Sequence, residues 1–193
     1  MERVWERRMT ADDLNSRLVR GEQVLWRGVP AQGLMFTSRD ALMIPFSAVW
    51  LAFAVFWLVM VTRTGAPVFF YLWGAMFVGI GIFFAVGRFV VDAWLRGRTV
   101  YAVTDQRVLI LRSSPFARFT SLELDRLPEL NLVGDGNTKG DIRFGPSVSF
   151  FGNRSMAVWM PSLDPTPQLL GIAKPKAVFD LIRDAGQKAR ARA

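Results

Sequence analysis

The chain of 193 residues contains no cysteine and no histidine. Disulfides, thiolate nucleophiles, Cys/His zinc sites and Ser-His-Asp triads are thereby excluded, and most familiar catalytic chemistry goes with them. Acidic residues are the minority, 16 against 24 Lys and Arg, for a net charge of +8. Charge is also missing locally: Ala41 to Thr62 and Thr64 to Gly87 contain no charged side chain, and Arg63 alone separates them. The carboxylates that invite acid–base chemistry, Glu123, Asp125 and Glu129, form no pair with a positioned partner. The expectation is a non-enzymatic protein without cofactor or metal.

What is present is apolar: 51% of the residues are hydrophobic and the mean hydropathy is +0.24, high for a soluble domain. The two uncharged runs account for the excess. At about 1.5 Å per residue, about 20 apolar residues cross the ~30 Å hydrocarbon core of a bilayer, and a helix satisfies its own backbone there. Burying such a hairpin in a soluble protein would need a shell of amphipathic helices that the remaining chain does not supply. A cleaved signal is not expected either, because the first run follows a polar-rich segment of about 40 residues. Basic flanks tend to stay cytoplasmic. Arg27 and Arg39 precede the first run, Arg88, Arg96, Arg98 and Arg107 follow the second, and the connecting loop has only Arg63. The reading is a multi-pass inner-membrane protein with both termini cytoplasmic and an external turn at Gly65, Ala66 and Pro67. Its organisation is a cytoplasmic segment over 1–40, a transmembrane hairpin over 41–97 and a cytoplasmic domain over 98–193.

In an antiparallel hairpin turning near Gly65, Asp40 lies level with Arg88 at the inner boundary, where an ion pair would offset the cost of each charge. Ala48 with Ala52, Ala75 with Gly79 and Gly81 with Ala85 have the spacing that permits close helix contact, within the hairpin or between subunits, which leaves a homo-oligomer open. Pro45 falls near the start of the first helix, where a missing amide proton costs little; a kink is the alternative. Trp94 near one boundary, and Tyr71 with Trp73 near the other, fit interfacial belts or ordinary packing.

Ahead of the hairpin, Thr10 and Asp13 read as the cap of a short helix with Leu14 and Leu18 on one face and Gly21 as its stop. Glu22 to Pro30 reads as one extended piece, with Trp26 as a docking anchor or a core residue. Beyond Gly97 the pattern changes to seven short β-type segments: Thr99 to Thr104, Arg107 to Arg112, Arg118 to Leu124, Glu129 to Val133, Asp141 to Gly145, Ser147 to Phe151 and Met156 to Met160. A Pro-rich stretch, Pro161 to Pro167, precedes a last helix from about Pro175, in which Val178, Leu181, Ile182 and Ala185 make one apolar stripe. The loop Gly134 to Asp141 fails as a phosphate loop because Lys139 is followed by Gly140. It fails as a calcium loop because Pro146 stands where the last acidic ligand belongs.

The segment Tyr101-x-Val103-Thr104-Asp105-x-Arg107-Val108 resembles the opening signature of bacterial pleckstrin-homology (PH) domains. Glu22-x-x-Leu25-Trp26-x-Gly28-x-Pro30, Ile44-Pro45-Phe46-Ser47 and Gly87-Arg88-Phe89 are similar to the matching parts of membrane-anchored members of that family. The resemblance implies an α+β membrane protein in which a two-helix transmembrane hairpin is followed by a seven-stranded antiparallel PH-like barrel, capped by the C-terminal helix. It also implies a docking or scaffolding module with a membrane or cytoplasmic protein partner. The short turn Thr104 to Arg107, with an acid in it, departs from phosphoinositide-binding relatives. Lys174, Lys176, Arg183, Lys188, Arg190 and Arg192 gather in the last helix and its tail, a basic surface that sets topology or adsorbs to anionic lipid. A lipid sensor or an accessory subunit of a transport complex are the alternatives. Nucleic acid is not expected, since no aromatics interleave with those bases.

Overall fold

The computed structural model describes residues 14–37, 40–114, 116–134, 138–145 and 160–191. Thr10, Asp13, Arg39, Arg192, the segment Ser147 to Phe151 and all but the last residue of Met156 to Met160 lie outside the described residues. Strand β1 (Val24–Gly28) precedes helix α1 (Asp40–Thr64) and helix α2 (Val68–Ile82); a π-helical turn (Phe83–Gly87) then joins α2 to α3 (Arg88–Gly97). Strands β2 (Thr99–Thr104), β3 (Arg107–Arg112), β4 (Arg118–Glu123), β5 (Leu130–Gly134), β6 (Lys139–Phe144) and β7 (Gln168–Ala173) follow, and helix α4 (Pro175–Arg190) closes the order.

The helices α1 and α2 to α3 are each long and apolar enough to cross a membrane, 25 and 30 residues at mean hydropathy 2.2 and 2.1. Gly65, at φ 62°, makes the turn between them. Between positions 47 and 81 the buried residues are Ser47, Ala54 and Val61 on α1, seven apart, and Gly74 and Gly81 on α2, also seven apart. A Cβ at Gly81 would stand 3.2 Å from the Leu51 Cα, so glycine is what lets the backbones approach. Of the small residues expected at this contact only Gly81 is buried; Ala48, Ala52, Ala75 and Gly79 are exposed. One residue along a helix is a turn of about 100°, so an offset of one position moves a side chain off the contact face. Pro45 lies inside α1, which begins at Asp40.

The strands form two open antiparallel sheets, ordered β1-β2-β3-β4 and β5-β6-β7, rather than one closed barrel among the described residues. Nor do all the strands follow the hairpin. The piece read as merely extended is β1, and Trp26, Arg27 and Gly28 pair with Val103, Ala102 and Tyr101, so Trp26 joins the core. Strand β7 was not anticipated. It is buried from Gln168 to Ile172, and a strand covered on both faces lacks the polar alternation that marks one in sequence.

Strand β2 is buried at all six positions because the sheet is covered on both sides. Tyr101, Val103, Val108 and Leu124 face the second sheet and the Val178, Ile182 and Ala185 stripe of α4. Val100, Ala102, Leu109 and Leu111 face Leu14 and Leu18 of the segment ahead of β1. Leu181 of the expected stripe is partly buried against the same core.

Candidate functional site at the junction of helices and sheets

Strand β2 leaves α3 after one residue, so Thr99 marks the helix end of the sheets and Thr104 lies about 17 Å further off. At the helix end, Asp40 accepts hydrogen bonds from the Thr37 amide at 2.6 Å and the Thr37 hydroxyl at 2.9 Å, capping α1. Its other oxygen stands 2.8 Å from Nη2 of Arg88, with both side chains buried. The structure thus brings together the two charges that the hairpin geometry sets at one depth. The Arg88 guanidinium also lies over the Phe89 ring at 4.3 Å.

Two turns along, Arg96 donates from Nε to Asp92 at 2.8 Å, from Nη1 to the Ala31 carbonyl and from Nη2 to the Gly33 carbonyl at 2.7 Å. The second oxygen of Asp92 accepts the Ser162 amide at 3.0 Å. One buried pair therefore ties α3 to the linker between β1 and α1 and to the turn before β7. Sequence reading gave Arg96 only a topological role and gave Asp92 none. Their spacing of four on a helix was a signal for the pair, but nothing local marks carbonyls 31 and 33 as its partners. Arg98 stacks over Trp94 at 4.0 Å, on the same end of the molecule.

Thr104, Asp105 and Arg107 of the signature lie at the opposite end, where Thr104 and Arg107 act on each other and on Glu22. Arg107 donates from Nε and Nη2 to the two oxygens of Glu22, each at 2.9 Å, and the Thr104 hydroxyl donates to Glu22 at 2.8 Å. Thr104 Oγ1 in turn accepts the Arg107 amide at 2.9 Å, closing the turn after β2. Asp105 accepts the Gln23 amide at 2.9 Å. Burial pushes the Glu22 carboxyl up, but hydrogen bonds from Arg107, the Val19 amide and Thr104, with the Arg107 charge, overcome it and hold the pKa at about 2. The same bonds to Glu22 raise Arg107, against a smaller effect of burial. Tyr101 accepts the Leu170 amide at 3.1 Å, linking the two sheets, and burial raises its phenol well above the ordinary value. Glu22, which only the family resemblance marks in the sequence, is the centre of this clamp. The motif holds β1 onto the β2–β3 hairpin.

The basic residues of α4 are spread out. Lys174 and Lys176 sit at its start, and Lys188 and Arg190 at its end, about 20 Å away. Arg183 stands 3.9 Å from Asp180 and 4.0 Å from Asp184. Arg190 donates to the Asp125 carbonyl at 3.2 Å, and Ala189 lines a recess with Asp105, Arg107, Glu123 and Asp125. The C-terminal bases thus lie at the end of the sheets remote from the helical hairpin.

Beside the junction, a recess of about 740 Å³ opens between the linker and the second sheet, with Leu34, Met35 and Phe36 on one wall and Lys139, Asp141 and Arg143 on the other. Asp141 accepts the Gly171 amide at 2.7 Å, and burial, partly offset by that bond, raises its carboxyl. Comparison with known proteins finds no match to the chain among family models, curated proteins or solved structures.

Proposed function

We propose that the chain is an inner-membrane docking protein in which a transmembrane hairpin is inserted between the first two strands of a PH-like sandwich. The observation that carries this reading is the order of the parts. Four strands, then three, then one amphipathic helix follow the PH arrangement once β1 is counted, and the hairpin interrupts them between β1 and β2. Both strands flanking the insertion enter one sheet, so the sheets cannot swing freely on a tether. Arg96 and Asp92 bond the linker and the turn before β7 to the hairpin as well.

Such a platform holds a protein surface at fixed height above a bilayer, which raises its effective concentration for anything in the same membrane. Strand β4 is the edge of its sheet among the described residues and has exposed positions along its length, a ladder end that an extended peptide can join. The signature residues are engaged within the fold, Thr104 and Arg107 with Glu22, Asp105 with Gln23 and Tyr101 with Leu170, and the last bases of α4 sit at the far end from the hairpin, which weighs against α4 lying on the inner leaflet. The basic flanks of the hairpin favour a cytoplasmic platform.

Three experiments test this. A topology reporter at Gly65 should read external and one fused after the last residue internal; internal signal at both positions would end the two-span reading. Crosslinking in native membranes should recover a reproducible protein neighbour through β4. The full chain in vesicles of equal total charge should bind no better when phosphoinositide is included, and headgroup-selective binding that persists at high salt would replace docking by lipid sensing.

A further inference from the structure

The mouth between the two sheets at their helix end contains an arrangement that folding alone does not account for. Arg112 and Arg118 are direct cross-strand partners at the ends of β3 and β4, a juxtaposition of like charges that destabilises a sheet. Both line one small cavity with Arg96, Tyr101, Asp164 and Gln168. Arg96 is neutralised by Asp92. Asp164 is the carboxylate in the lining, and it accepts the Thr166 amide at 2.9 Å. Two arginines therefore face one acid.

The arginines are also held in place. Arg112 donates from Nη2 to the Ser162 carbonyl, and Arg118 from Nη2 to the Pro165 carbonyl at 2.9 Å, so the turn before β7 fixes both guanidinium groups across the mouth. Burial, with Arg118 beside it, lowers the pKa of Arg112. Two buried polar atoms remain unsatisfied here, Nε of Arg112 and Oε1 of Gln168. The amide of Gln168 is not free to turn: its Nε2 donates to the Pro161 carbonyl at 2.8 Å, and the residue is only 7% exposed. Its oxygen can only accept.

We infer that this mouth binds a single terminal phosphate group, whose charged oxygens meet Arg112 and Arg118 and whose remaining P–OH donates to Gln168. The unsatisfied donor on Arg112 calls for an anionic oxygen, and the unsatisfied acceptor on Gln168 calls for a hydroxyl on the same ligand. Inorganic phosphate carries both at neutral pH, because its third proton leaves only in strong base, and a phosphate monoester carries both in its monoanion, the form favoured below its second ionisation at about pH 6. Sulfate and carboxylate have no proton to give. Water would satisfy the two orphan atoms but would not offset the facing arginines. The cavity, about 40 Å³, has room for one tetrahedral oxyanion at about 10–15 Å³ per water-sized occupant. A sugar or inositol ring would have to remain outside. The phosphate can come from a soluble ion or from a lipid whose headgroup is a bare phosphate, since the mouth opens at the end from which the helices leave.

The test uses the full chain in detergent micelles and in lipid nanodiscs, titrated with inorganic phosphate against sulfate at equal ionic strength. Phosphate should bind saturably and at least about tenfold more tightly than sulfate. Loss of one charged hydrogen bond in Arg118→Gln should weaken it by about tenfold. Arg118 is exposed, so the melting temperature of that unliganded variant should stay near the parent value. Gln168→Met should erase the preference over sulfate. Nanodiscs with phosphatidic acid, compared with phosphatidylglycerol at the same mole fraction, separate the sources. Binding of soluble phosphate in both disc types assigns a free phosphate, and retention of phosphatidic acid alone assigns the lipid headgroup; either supports the site. Absence of saturable binding to both, equal affinity for sulfate, or full affinity in Arg118→Gln would overturn it.

Discussion

The helical hairpin and the sheet sandwich are built in opposite senses. Between positions 47 and 81 of the hairpin the buried residues are Ser47, Ala54, Val61, Gly74 and Gly81, while Val49, Phe53, Phe69 and Leu72 are 63–71% exposed. In the sandwich Leu109, Ile142, Leu169 and Ile182 are fully buried. A large apolar side chain gains from burial only where its alternative is water; where the alternative is hydrocarbon, close backbone approach of small residues is what remains to favour contact. The contrast is the one that the proposed membrane placement requires. The two halves share one device, a buried acid–arginine pair: Asp40–Arg88 and Asp92–Arg96 on the helices, Glu22–Arg107 in the sheets.

The contrast can be broken most severely where the two regimes meet. Arg96→Ala leaves the buried Asp92 without its counter-charge and two carbonyls without a donor, and should cost about 3–5 kcal/mol in denaturant unfolding of the micellar protein. Arg183→Ala, whose side chain is 60% exposed, should stay within about 0.5 kcal/mol in the same assay.

Next in size is the clamp at the far end. The folded pKa of Glu22, about 2, lies below its ordinary 4.5, so the stabilisation is fully present above pH 4.5 and is lost as pH falls towards 2. It amounts to on the order of 3 kcal/mol. Glu22→Gln should therefore lower stability at pH 7 by about that amount and flatten the acid limb of the stability curve between pH 4.5 and 2. An unchanged acid limb would detach the clamp from acid stability.

Within the hairpin, Gly81→Leu should separate the helices and cost about 1–3 kcal/mol, because Leu51 occupies the space, whereas a Cβ at the exposed Gly79 meets nothing within 4 Å and Gly79→Leu should be nearly silent. Crosslinking between cysteines placed at positions 50 and 77, where Trp50 and Phe77 stack at 5.6 Å, would read the difference. The smallest effect belongs to Asp141, whose raised pKa marks a carboxylate that would be better protonated. Asp141→Asn keeps the oxygen that accepts Gly171 and should stabilise the protein at pH 7 by less than about 1 kcal/mol, a gain that vanishes at acid pH.

Much of the fold was legible in local pattern. Alternation and turn residues located β2 to β6, and the i, i+3, i+4 spacing of Val178, Leu181, Ile182 and Ala185 located the buried face of α4. The uncharged runs located the hairpin, and its antiparallel geometry set Asp40 opposite Arg88. The basic residues of α4 looked like one cluster only because they are close in sequence; the helix carries them to opposite ends of the sandwich.

What sequence determined by itself is whatever depends on neighbours within a few residues: the periods of strand and helix, the lengths of the apolar runs, the capping of α1 and the two-residue turn at Asp105 and Gln106. Tertiary structure decided which distant pieces meet. The pairing of β1 with β2 across the whole hairpin, the choice of carbonyls 31 and 33 as partners of Arg96, and the closing of Arg107 on Glu22 each join residues more than 60 positions apart. Backbone carbonyls and strand edges are the same at every residue. Only the folded chain, by bringing one of them within bonding distance, gives it an identity.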